Sequence, residues 1–186
     1  VLLARSVVQL GKKVLLVEAD LRRPCLGRRL GITEERGLVT LLAGQVQDGD
    51  PIVRDEASGL DVLLAGEMPD HFNAESLGNG ILSKCLKRWK QKYDLILLDG
   101  PPVLVIADAG MLARQVDGTV MVLRARHCRR PEATQAYAYL SASGGTLLGT
   151  ILVGGQHGLG SGYGYGYGYG YGYEHQHADK QSDSAS

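Results

Sequence analysis

Two carboxylates and a guanidinium stand at alternate positions where an aliphatic run ends. Val14-Leu15-Leu16-Val17 is followed by Glu18, Asp20 and Arg22. Residues two apart in an extended chain share a face, so all three side chains can address one site. Close carboxylates repel unless a cation or a shared proton relieves them. A divalent metal would do so, and Arg22 could address a phosphate; a surface salt-bridge triplet has the same pattern. A second aliphatic run, Ile96-Leu97-Leu98, ends in Asp99. A carboxylate at a buried strand end is costly unless a metal or charged partner compensates it, although an aspartate capping the next turn reads alike. The third feature is a string of phenols: Tyr163, Tyr165, Tyr167, Tyr169, Tyr171 and Tyr173 alternate with glycine. A tyrosine ring is normally worth burying, and flanking glycines offer it nothing to pack against. The string is either a low-complexity linker or a set of hydroxyls held out for modification.

The elements that must position these residues follow from the apolar pattern. Residues 14–18, 60–65, 93–99, 118–124 and 147–153 are short, nearly continuous aliphatic runs. Such continuity predicts strands buried on both faces, as in a parallel sheet covered by helices. Helical patterns lie between them. Residues 1–10 close on Gly11 as a C-terminal glycine. Residues 74–92 place Leu77, Ile81, Leu82, Cys85, Leu86 and Trp89 on one side, with Trp89 a core residue. Residues 108–115 follow, then 131–143, opening on Pro131. The alternation predicts an open, mostly parallel α/β sheet flanked by helices over residues 1–153. Residues 154–186 read as a disordered Gly/Tyr-rich tail. Ligands of such sheets sit at the carboxyl ends of the strands, which is where Glu18, Asp20 and Asp99 fall.

Composition narrows the function classes. The 186 residues are 44% hydrophobic, enough for one core, and carry no net charge. No global field therefore favours nucleic acid. Charge is uneven: Arg5, Lys12, Lys13, Arg22, Arg23, Arg28 and Arg29 crowd residues 1–31 against Glu18 and Asp20, which suits an anionic ligand or a solvated face. Cys25, Cys85 and Cys128 show no CxxC spacing and read as free thiols in a reducing compartment. No apolar run approaches the ~18 residues that span a bilayer. The chain opens VLLARSVV without an initiating Met and reads as part of a longer one. His175 and His177 form no more than an adventitious metal pair.

Taken together, VLLVEADLRRP (14–24) resembles the Walker-A′ motif of the bacterial tyrosine kinases that control exopolysaccharide export, and residues 96–99 resemble their Walker-B motif. The likeness runs on through RGLVTLLAG (36–44), GEMPDHFNAESL (66–77), YDLILLDGPPVLVIADA (93–109) and VDGTVMVLR (116–124), and ends in the tyrosine cluster. It implies a P-loop NTPase fold of the deviant Walker-A type, lacking here its first strand and P-loop. It further implies ATP and Mg2+ as cofactors and autophosphorylation in trans within a ring of copies of the chain. Asp99 and Asp20 would support Mg2+, partly through water. Of Glu18 and Asp20, one would stand near the metal and one would receive the phenol's proton, with Arg22 beside them. A membrane-embedded polysaccharide co-polymerase is the implied partner, and the cytoplasmic face of the plasma membrane the implied location. A noncatalytic module of an export complex and a partition-type ATPase switch are the alternatives; six exposed phenols speak against the latter.

The chain departs from the family pattern in named places. No GxxxxGK[ST] occurs, since Gly11-Lys12-Lys13 lacks the loop glycine and the hydroxyl. Glu18 stands where the family usually has Asp, Gly100 where it has Thr or Ser, and Val153 where relatives often have Asn. If Glu18 fills the aspartate's role with excess reach, Glu18→Asp is expected to preserve or raise activity.

Overall fold

The structure, a computed structural model, describes residues 1–45, 49–68 and 74–154. The tyrosine cluster and the two tail histidines lie outside the described residues. Residues 1–155 form one compact unit.

The aliphatic runs form the sheet that the pattern predicts, with shifted ends. Strand β1 spans Val14–Glu18 and every residue in it is buried. It pairs in parallel with β3 (Leu60–Leu63) on one side and β4 (Leu95–Asp99) on the other. A short strand β2 (Val53–Asp55), absent from the sequence reading, pairs antiparallel with β3 and closes that edge, giving the order β2-β3-β1-β4. With only three residues, β2 is too short to show a periodicity. Strands β5 (Thr119–Arg124) and β6 (Leu147–Val153) pair in parallel with each other.

The expected open, mostly parallel arrangement is present in two parts. Among the described residues β4 pairs only with β1, and β5 only with β6, so the strands form two separate sheets. Among the described residues, each of β4 and β5 therefore keeps one edge of backbone N–H and C=O groups without a strand partner.

The core follows from two-faced burial of β1. Leu15 and Val17 face Leu38, Val39, Leu41 and Leu42 of α3 (Leu38–Leu42) and Leu82, Cys85, Leu86 and Trp89 of α4 (Ile81–Trp89). Val14 and Leu16 point the other way, onto α1 (Leu2–Gln9) through Ala4, Val7 and Val8 and onto Leu26 of α2 (Leu26–Leu30). Trp89 is fully buried, and its indole N–H donates to Asp50 Oδ2 at 2.8 Å. A smaller cluster joins Met121 of β5 to Ala136 and Leu140 of α6 (Arg130–Ala142) and to Ala113 of α5 (Asp108–Ala113).

The single helix expected over residues 74–92 is interrupted. A 3-10 turn covers Ala74–Gly78, and α4 begins afresh at Ile81. Gly80 takes φ +85, which breaks the helical path, and Asn79 Oδ1 accepts the Ile81 N–H at 3.0 Å to start the new helix. Helices α2 and α3, five residues each, were not foreseen because such short pieces carry too few turns for a periodic signal. None of the described helices is long and apolar enough to cross a membrane.

Candidate functional site

The carboxyl ends of β1 and β4 come together. Glu18 and Asp99 are register partners, and the Asp99 carbonyl accepts the N–H groups of both Ala19 and Asp20, at 2.9 and 3.0 Å. Two acidic motifs 79 to 81 residues apart in the chain are thus tied backbone to backbone.

The side chains then part. Glu18 is buried, and its Oε1 accepts the N–H groups of Cys25 and Leu26 at 2.5 and 2.6 Å, while Oε2 accepts the Ala65 N–H at 3.1 Å. It caps the start of α2 and staples the loop after β3 to the end of β1. Asp20 is half-buried, and its Oδ1 accepts the Arg23 N–H at 3.1 Å in a tight local turn. Arg22 donates from Nε to Asp108 Oδ2 at 3.3 Å. Glu18, Asp20 and Arg22 therefore do not share one face. The alternation argument holds only within extended strand, and β1 ends at Glu18.

Asp99 is exposed at the end of β4. Desolvation by the packed strand end pushes its pKa up, as do the nearby charges of Glu18 and Asp20, against the opposing pull of the Val1 ammonium and Arg29. A raised carboxylate between two further acids is a site with surplus negative charge, which a hard cation with oxygen ligands would relieve. Among the described residues no three His, Cys, Asp or Glu side chains close on one point. Asp99 and Asp20 could thus supply part of an oxygen shell, with water and phosphate oxygens completing it, as Mg2+ prefers.

One contributor escaped the sequence reading, and another was marked there only as part of the basic cluster of residues 1–31. Asp108, first residue of α5, is buried and anchors Arg22; from sequence it reads only as an acid in a first helical turn. Arg29 is charge-coupled to Asp99 from α2, which lay in an unassigned stretch. A cleft of about 260 Å³ lies on the Cys25 and Gly66 side of Glu18. Its rim carries Glu34, Glu35 and Glu67 against Arg28, a balance that repels a triphosphate. Gly100 has room for a side chain, since an added Cβ would meet only Leu112 at 3.6 Å.

Comparisons with known proteins agree with this fold. Residues 1–126 match the AAA-domain family. The chain is 32% identical over 152 residues to tyrosine-protein kinase YwqD of Bacillus subtilis, an alignment covering 82% of this chain and 64% of that protein. The chain thus spans just under two thirds of that relative's length. The solved kinase domain of the Escherichia coli tyrosine kinase ETK superposes with a TM-score of 0.80 at 30% identity, covering 89% of this chain and 64% of that one. The VpsO kinase domain superposes at 0.74 with 36% identity, covering 81% and 73%. The motifs, the parallel sheet with its paired acidic strand ends, and these likenesses converge: the chain belongs to the bacterial tyrosine kinases, built on the P-loop NTPase fold.

Proposed function

We propose that this chain is the catalytic part of an ATP-dependent tyrosine autokinase that phosphorylates its own C-terminal cluster, Tyr163 to Tyr173, in trans and thereby regulates exopolysaccharide synthesis or export. The observation that carries this reading is the joining of Asp20 and Asp99 at adjoining strand ends, where desolvation and the charges of Glu18 and Asp20 push the Asp99 pKa up. Asp99 and Asp20 would hold Mg2+, in part through water. When bound, that ion supplies charge neutralisation on the transferred phosphoryl group.

The chain's own residues do the rest. A phenol of pKa ~10 is almost wholly protonated at pH 7, a deprotonation cost of about 4 kcal/mol that a nearby carboxylate offsets. Glu18 is held by three backbone amides, so Asp20 is the better placed of the pair to face the incoming hydroxyl. Glu18 keeps the turn of residues 19–25 in shape, and Asp108 fixes Arg22 beside it. Neighbouring copies in a ring present their tails to one another, and a membrane-embedded polysaccharide co-polymerase holds the ring at the cytoplasmic face of the plasma membrane. A noncatalytic module is the second reading, favoured by the engagement of Glu18 at the place of the family's aspartate.

The test is mass spectrometry of the tail after incubation with ATP and Mg2+, using the chain joined to an upstream Gly-rich GK[ST] loop. Phosphate on several of the six tyrosines, nearly abolished by Asp99→Asn, is the expected result. An unmodified tail in the unmutated protein would leave the noncatalytic module standing.

A further inference from the structure

Residues 124–130, Arg-Ala-Arg-His-Cys-Arg-Arg, connect β5 to α6 and belong to none of the chemistry above. They hold four arginines in seven positions, and all four are exposed, as is His127. Among the described residues no carboxylate forms an ion pair with Arg124, Arg129 or Arg130. The adjacent acid, Glu132, accepts the Arg129 backbone N–H at 2.8 Å and so serves the start of α6. The loop is gathered by a tight turn in which the N–H groups of His127 and Cys128 both donate to the Arg124 carbonyl, at 3.1 and 3.0 Å. Arg126 sits in that turn at φ +65, a left-handed conformation that a non-glycine residue rarely adopts. Arg124, Arg129 and Arg130 thus concentrate like charge at one strand end, around that turn, with no ion pair among the described residues.

The exit of β6 lies beside them. Arg124 is the register partner of Val153, and the Ala125 N–H donates to the Val153 carbonyl at 2.8 Å. Gly154 follows against the Arg124 side chain. Nine residues beyond Gly154 stands Tyr163, a span whose fully extended reach is about 30 Å. The first tyrosines can therefore return to the loop of their own chain.

We propose that residues 124–130 are the docking surface for this chain's own tail once its tyrosines carry phosphate, an inference that rests on the autophosphorylation reading above. Each phosphotyrosine brings about −1.5 to −2 charges and three acceptor oxygens, and guanidinium is the side chain suited to bidentate phosphate recognition. The acidic strand ends at Asp20 and Asp99 repel the same groups. Modification therefore moves the tail from a site lined with carboxylates to a loop lined with arginines beside which it already emerges. The unmodified tail has no charge to offer the loop between Gly154 and Tyr173.

The experiment uses a synthetic peptide of residues 161–175, made chemically with and without phosphate on its tyrosines, titrated calorimetrically into the 186-residue chain. The phosphopeptide is expected to bind at least tenfold more tightly than the unmodified peptide. The triple variant Arg124→Gln, Arg129→Gln, Arg130→Gln should lose at least tenfold of that affinity while keeping its circular dichroism spectrum. Equal binding of the two peptides would overturn the proposal without recourse to any variant. So would phosphopeptide affinity unchanged in the triple variant. A chain that ignores the phosphopeptide yet binds phosphatidylserine vesicles through these arginines would make the loop a membrane-facing surface, which also overturns it. The peptide's phosphate is installed by synthesis, so a failure here is separate from a failure of the kinase, which the tail's mass spectrum reads.

Discussion

Glu18 and Asp99 are direct partners across the β1–β4 ladder, yet their carboxylates lead opposite lives: one is buried among three amide donors and the other stands exposed with its pKa raised. Glu18 serves structure, and the function proposed above gives Asp99 the chemistry. That division underlies the first two predictions.

Glu18→Asp withdraws the carboxylate by one methylene, so it no longer spans Cys25 and Leu26 on one side and Ala65 on the other. The three amide contacts thus revise the expectation that aspartate is neutral or beneficial here. Leaving a buried N–H unsatisfied costs about 1–3 kcal/mol, and Glu18→Asp should lose about that much stability. Glu18→Gln should lose a comparable amount, because its amide donor faces a backbone donor. Urea denaturation of the three proteins measures both.

Asp99→Asn should remove tyrosine phosphorylation while making the protein slightly more stable at pH 7. The sign follows from linkage. Because the folded chain raises the Asp99 pKa, the folded state holds this proton more tightly than the unfolded state does. The group's contribution therefore declines as pH rises from the ordinary carboxylate pKa through the folded one. An amide has no such dependence. Denaturation midpoints from pH 3 to pH 7 should converge at the acid end and favour the variant at the neutral end.

The pair Arg5–Asp55 ties α1 to β2 and titrates with the opposite sign. Asp55 is buried and accepts from Arg5 Nε and Nη2 at 2.9 and 2.8 Å and from the Ser58 hydroxyl. Burial by itself would raise its pKa, but Ser58 and Arg5 outweigh that and hold it below the ordinary value. Its stabilisation is present above the unfolded carboxylate pKa and is lost as pH falls through the folded one. Arg5→Ala leaves a buried carboxylate short of its cation and should cost about 2 kcal/mol at pH 7. The difference from the unmutated chain should shrink below about pH 4, as equilibrium unfolding at several pH values will read.

Asp108→Asn keeps the shape of α5's first turn and removes the charge that holds Arg22. In a phosphorylating protein extended by its Gly-rich loop, kcat/KM should fall about tenfold, the loss expected for roughly 1.4 kcal/mol of positioning energy. Melting temperature should change little, because Arg22 is half exposed. Loss of activity matched by loss of folding would instead make Asp108 a purely structural residue.

The two open edges should be visible in hydrogen exchange. Amides of β1, paired on both sides, should be the slowest in the 186-residue chain, whereas β5 and β6, joined to no other strand, should exchange through local opening at much lower free energy. Val120, Val122, Leu148 and Leu152 are exposed on that pair. Extension of the chain at its start by a relative's first strand and Gly-rich loop should slow β4 and β5 together, and protection of only one of them would mean that the added strand does not lie between.

By itself the sequence determined five of the six strands and four of the six α-helices, because continuous aliphatic runs and 3–4 spacing are local properties of the chain. It also marked Glu18, Asp20 and Asp99, since acids placed at the ends of buried runs are conspicuous wherever they fold. Only the tertiary structure decided what each acid does. Whether Glu18 points at a site or at three amides depends on the Ala65 N–H, 47 residues away in the chain, arriving beside β1. The anchoring of Arg22 by Asp108 depends in the same way on a helix 86 residues downstream. Pattern and spacing register what a residue can do. Burial and the partners brought by distant segments settle which of those things it does, because the energy of a carboxylate is set by the donors and charges within a few ångströms of it.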